Sequence, residues 1–238
     1  MKSNILFLVF LFSAGLVFSQ GGEWYNRASL EGKIDATKKL SFSASVQSRW
    51  NLSTPTFNKT MYTLESAFDI TKSIRLGVLY RNSWIRNPHV LLDGEKMTTS
   101  QRFAASLRFN PSKILNIDKY ITLLYTTKIQ FEGFKFKRDQ FYWRNKITLK
   151  AELKGKILKP YVSAESFYRK NQYFYLSGDD FITEGLMNEM RYSIGTEINF
   201  NKNNMLDLQL LVRDYQTTKL TDFVACISFS HKFSKKKK

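Results

Sequence analysis

Arginine is the residue whose placement in this chain most invites chemistry. Arg49 closes LSFSASVQSRW, Arg75 and Arg81 bracket LGVLY, and Arg102 and Arg108 bracket FAASL. Arg144, Arg191 and Arg213 stand in YWRNK, EMRYS and LVRDY, while Glu65 and Glu165 hold the same kind of position in YTLESAF and VSAESF. A guanidinium stays charged and presents a donor fork that matches a carboxylate or a phosphate. Gathered on one face, such residues either pair with carboxylates into a ladder that fills an interior, or leave a positive wall that favours anions. Both outcomes follow from one constraint, because an isolated charge does not stay dry.

Other chemistries leave a thinner trace. Acyl or phosphoryl transfer needs a nucleophile beside a base, usually a histidine. His89 shares a connecting segment with Asp93 and Glu95, and an ordinary solvated loop is the simpler reading of that trio. His231 shares parity with Phe229 and Phe233 and is expected to face outward. No serine stands out as a nucleophile among so many strand serines, so no catalytic residue is assigned. SGDD at 177–180 reads as a turn rather than a metal site, and there is no glycine-rich phosphate loop. No metal and no cofactor are expected. Cys226 is the only cysteine, so no intrachain disulfide is possible, and it is expected to pack inward.

These residues must be positioned by strands. Leu40, Phe42, Ala44, Val46 and Trp50 fall on one parity, and Ser41, Ser43, Ser45, Gln47 and Arg49 on the other. That is the period-2 signature of an extended chain with two unlike faces. The same alternation recurs from Trp24 to Phe233 in eleven segments, with no sustained 3.6 periodicity. The expected fold class is therefore all-β, a single antiparallel up-and-down transmembrane β-barrel of about 10–12 strands. The even numbers, ten or twelve, are favoured because single-chain bacterial barrels have even counts.

Three features place the apolar face outward. Most segments run about ten residues, long for a soluble strand and suited to crossing a bilayer at a tilt. Apolar side chains from eleven strands exceed what a narrow barrel can hold inside. Trp24, Trp50, Trp84, Tyr120, Trp143, Tyr168, Phe200 and Phe233 lie near strand ends, where interfacial aromatic girdles form. Connections after the first, third, seventh and ninth strands read short, and those after the second, fourth and eighth read long, which assigns the short ones to the periplasm.

Residues 1–19, with Lys2 before ILFLVFLFSAGLVFS, read as a secretory signal peptide. Residues 20–233 then form the barrel and 234–238 a basic periplasmic tail. A formal charge of +17 would suggest nucleic acid in a cytoplasmic protein, but the leader and the dispersal of basic residues through strands argue against it.

The early Trp24, VQSRW, LGVLYR, QRFAASLRF, KPYVSAESF, MRYSIGTEINFNKNN and LDLQLLVRDY together carry a family likeness. On them the chain resembles a family of predicted outer-membrane barrels, domain of unknown function 2490, over about residues 24 to 233. Many members carry histidine before the arginine of the fifth-strand motif. Here that position is Gln101, which removes a histidine role there. The resemblance implies a barrel in the outer membrane of a Gram-negative cell and supplies no activity.

The expected function is an integral outer-membrane β-barrel, structural or porin-like, with a narrow anion-favouring pore and a charge-laddered lumen. Arg49, Glu65, Arg81, Arg102, Arg108, Arg144, Glu165, Arg191 and Arg213 are its lining. The alternatives are an outer-leaflet lipid-modifying enzyme and a soluble periplasmic barrel binding an apolar ligand. Expected partners are outer-membrane lipids, lipopolysaccharide touched by Arg86, Lys96, Lys135, Lys137 and Arg138, and the barrel-assembly machinery.

Overall fold

In the computed structural model, residues 23–52, 56–86, 97–134, 140–152, 157–170, 172–176, 179–183, 186–216 and 220–233 are described. Eight strands come first: β1 (Trp24–Asp35), β2 (Leu40–Asn51), β3 (Thr56–Asp69), β4 (Ile74–Arg86), β5 (Met97–Phe109), β6 (Ile121–Phe134), β7 (Gln140–Ala151) and β8 (Leu158–Lys170). A small hairpin follows, β9 (Gln172–Leu176) and β10 (Asp179–Thr183), then β11 (Leu186–Asn199), β12 (Asn204–Tyr215) and β13 (Leu220–Phe233). One helical turn, α1 (Pro111–Ile114), lies between β5 and β6. The eleven long strands close into a barrel, and β9 and β10 pair only with each other.

The count and the closure correct two expectations. The wall has eleven strands rather than ten or twelve, and it is not antiparallel throughout. With an odd number of strands that reverse direction at each connection, the first and last must run the same way. β1 and β13 accordingly pair in parallel, from Trp24 against Phe223 to Ile34 against Phe233. Eleven alternating segments and a preference for even counts cannot both hold in an all-antiparallel barrel. The parallel seam removes that conflict without discarding a strand. The seam is directly testable. In a Cys226→Ser background, Asn26→Cys with Ala225→Cys should form a disulfide, because those residues are register partners. A barrel closed by β2 on β13 would leave the two thiols reduced on a gel.

Two connections differ from the sequence reading. β3 starts at Thr56, so the segment after the second strand shrinks to 52–55. A register shift between Arg49 and Trp50, set against Lys59 and Phe57, absorbs the extra residue. The long segment after β8 holds the β9–β10 hairpin, in which Leu176 and Asp179 are register partners.

The short turns share one device. Thr37 Oγ1 accepts hydrogen bonds from the amides of Lys39 (3.2 Å) and Leu40 (2.9 Å). Thr71 Oγ1 does the same for Ser73 (3.1 Å) and Ile74 (3.0 Å). Asn201 Oδ1 accepts from Asn203 and Asn204, both at 2.8 Å. Each oxygen caps amides that the reversal would otherwise leave unpaired. The longer turn at Pro111–Ile114 relies on Asn116, whose φ of 56° lies in the left-handed region that asparagine tolerates.

The two faces of the wall differ as parity requires. Leu30, Leu64, Val78, Phe103, Ile129 and Ile147 point out and are 52–61% exposed, while Met61, Leu79, Phe167 and Val224 are buried inside. Gly195 makes the close approach of Tyr161 possible. A Cβ there would lie 2.6 Å from the Tyr161 ring and 2.7 Å from the Leu208 carbonyl oxygen. Gly195→Val should therefore cost about 1–3 kcal/mol, as overpacking does, measured by denaturant unfolding of the folded barrel. It should also break the 2.9 Å hydrogen bond from the Tyr161 hydroxyl to Asp207.

Candidate functional site

The inner face is where the sequence-assigned arginines meet their partners. Arg144, on β7, donates from Nε (3.0 Å) and Nη2 (2.6 Å) to Glu165 Oε1 on β8, and from Nη1 to Gln130 on β6 at 3.1 Å. Arg191, on β11, donates to Glu189 on its own strand, Nε at 2.6 Å and Nη2 at 3.1 Å. Both guanidiniums also lie against Phe167, at 4.2 Å and 3.8 Å from its centroid. The ring stacks with cations whose charge is already shared with carboxylates, so charge and packing are satisfied together.

The remaining assigned residues divide. Arg102 pairs with Glu132, whose other oxygen accepts from Ser100 at 3.0 Å. Arg213 pairs with Asp222 at 2.9 Å and sits 4.9 Å from the Tyr25 centroid. Arg81 donates from Nε to Thr63 Oγ1 at 2.9 Å and has no carboxylate partner among the described residues. Arg108 and Glu65 make no hydrogen bond or ion pair there. Arg49 is the most exceptional. Its Nε is buried without a hydrogen-bond partner, and the charges acting on it most strongly belong to Arg27, Arg191, Arg213 and Arg81.

Cations outrun carboxylates along this face. Further pairs join Arg75 to Asp69 (2.5 Å), Lys150 to Glu197 (2.6 Å) and Lys159 to Glu152 (2.6 Å), all near the end bearing the short turns. Arg27 has only Gln209 Oε1 at 2.9 Å, while Lys59, Lys128 and Lys146 have no carboxylate within ion-pair distance among the described residues. The arrangement is a partial ladder of pairs with a positive remainder. Guanidinium and ammonium groups without a carboxylate partner are donors suited to negatively charged oxygens.

Sequence reasoning missed several participants. Glu132 shares parity with Lys128 and Gln130, but it lies beyond Phe131, the last apolar residue of the clear alternation in that segment. Lys59 precedes Tyr62, where the apolar alternation of the third segment begins, and so carries no strand signal of its own. Phe167 carried a signal, an aromatic on the polar parity between Glu165 and Arg169. The outward histidine is placed as parity predicts, His231 Nδ1 lying 2.7 Å from Asn204 Oδ1 beside the Phe233 ring. Cys226 is buried with Leu211 and Val224. His89, Asp93, Glu95, residues 1–19, the tail 234–238 and the side chains of Arg86, Lys96, Lys135, Lys137 and Arg138 lie outside the described residues. No group of metal-ligating side chains occurs among the described residues.

The fold defines a closed eleven-stranded β-barrel with large apolar side chains exposed along its strands. A family model described as protein of unknown function (DUF2490) matches residues 22–223, and the chain belongs to that family. No curated protein matches the chain.

Proposed function

We propose that this protein is an integral barrel of the outer membrane whose basic interior forms a narrow passage favouring anions. The observation that carries the reading is the inverted distribution of side chains. Large apolar groups are exposed on the outward parity around the wall, while charged groups pair inside. An apolar surface that size is foreign to a soluble monomer and matches lipid. A closed barrel also satisfies its backbone groups internally, as a bilayer demands.

Outward polar groups are muted in a way that supports the same reading. The Trp143 indole donates to Thr127 Oγ1 at 2.8 Å, and the Tyr125 hydroxyl donates to Asn145 Oδ1 at 2.9 Å. All four tryptophans, Trp24, Trp50, Trp84 and Trp143, sit at the strand ends opposite the short turns. That is one interfacial girdle, and Phe109, Tyr120, Phe200 and Phe233 supply the other. On this reading the short turns face the periplasm, outer-membrane lipids and lipopolysaccharide surround the wall, and barrel-assembly machinery inserts it.

The test is planar-bilayer conductance of detergent-refolded protein whose unheated form migrates as a folded barrel. Small, discrete, anion-selective openings are expected, with selectivity reduced in Arg102→Gln, Arg144→Gln and Arg191→Gln. A folded protein that leaves the bilayer silent would remove the passage and leave a structural barrel. Extraction without detergent would remove the membrane.

A further inference from the structure

A cavity of about 260 Å³ lies within the barrel. Arg27, Arg108, Lys128, Arg144, Lys146 and Arg191 line it, opposed by one carboxylate, Glu165. These cations come from β1, β5, β6, β7 and β11, so they converge from separate parts of the wall. Arg144 and Arg191 are engaged with Glu165 and Glu189. Arg108, Lys128 and Lys146 make no hydrogen bond or ion pair among the described residues, and Arg27 spends one donor on a neutral amide. Like charges gathered around one cavity repel one another. A carboxylate brings one charge and two oxygens. A phosphate brings up to two charges and enough oxygens to bridge cations from different strands.

A second, more open cavity of about 810 Å³ sits at the short-turn end. Lys38, Lys39, Lys72, Arg75 and Lys113 line it, and it shares Arg108 with the inner chamber. Its carboxylate, Asp69, is held by Arg75. Arg108 therefore lines both a basic outer cavity and a basic inner one. Such basic clefts raise the local concentration of anions.

We propose that the inner chamber is a binding site for a small, free, multiply charged oxyanion of the phosphate class, entered from the short-turn end. The proposal rests on the basic interior described above but not on conduction. Enclosure by the wall makes the ligand a solute rather than a lipid headgroup.

The experiment uses the full folded chain in detergent with pyrophosphate, inorganic phosphate and chloride at matched ionic strength, read by thermal midpoint and titration calorimetry. Pyrophosphate and phosphate should each raise the midpoint saturably, pyrophosphate binding the more tightly, and chloride should not. Lys128→Met and Lys146→Met should each raise the anion-free midpoint, because repulsion is relieved. Each should also weaken pyrophosphate binding about tenfold, the loss of roughly one charge-assisted contact. An equal rise with chloride would mean diffuse screening and overturn the site. A lowered anion-free midpoint with unchanged pyrophosphate affinity would assign the lysines to packing and overturn it as well. Binding without conductance removes the passage and keeps the site, whereas conductance without saturable binding does the reverse.

Discussion

Glu165→Ala is expected to destabilise the folded barrel by about 3–5 kcal/mol, the cost of removing one partner from a buried ion pair. The Glu165 side chain is 13% exposed and accepts two hydrogen bonds from Arg144, itself 16% exposed. Without it, Arg144 keeps only Gln130 and faces Arg191 and Lys146 with no intervening negative charge. Phe167 holds both guanidiniums in place, so they cannot readily swing apart. Glu165→Gln should recover part of the loss, because an amide oxygen still accepts from Arg144 while the charge is gone. Denaturant unfolding in lipid vesicles measures both. The size of the loss also reports the medium inside the barrel. A value below about 1 kcal/mol would mean that water screens the pair as it does at a surface.

The pairing behind that prediction was only half legible in the sequence. Parity placed Arg144 and Glu165 on one face because a strand has period 2, and this needs no tertiary knowledge. Which acid each arginine takes depends on strand register. Arg191 pairs within its own strand to Glu189, although Glu165 is its register partner on β8. Arg49 lies furthest from any local rule. It is on β2, yet Arg191 and Arg213 on β11 and β12 are among the charges that act on it most. Only closure brings those walls together. The parallel seam was hidden for a related reason, since alternation fixes what each strand faces but not which strand it joins. The register shift at Arg49 and Trp50 hid the start of β3, because an extra residue reverses parity locally. Where no such shift intervened, as in β4 and β7, the sequence segments and the wall strands coincide closely, whereas β5 begins at Met97, five residues before the alternation starts at Arg102.

Val78→Arg is expected to cost about 2–4 kcal/mol if the outer face lies in hydrocarbon, the penalty for a cation near the middle of a barrel's lipid face. Val78 suits the test because it is the most exposed of the outward residues in mid-wall, at 61%. Its register partners are Ser66 and Ala105, so a longer side chain meets no steric obstacle. It lies well inside β4, away from Trp84 at the far end, which limits how easily an arginine could reach the interface. The same substitution on a water-facing wall should change stability by no more than about 0.5 kcal/mol, as surface replacements do. Val78→Leu provides the volume control and should be near neutral in either medium. Unfolding in vesicles therefore decides the location without reference to function. A large loss for arginine with none for leucine places Val78 in lipid, and equal behaviour places it in water. In the latter case the exposed apolar band would need a protein partner instead, and the anion chamber would remain as a separate question.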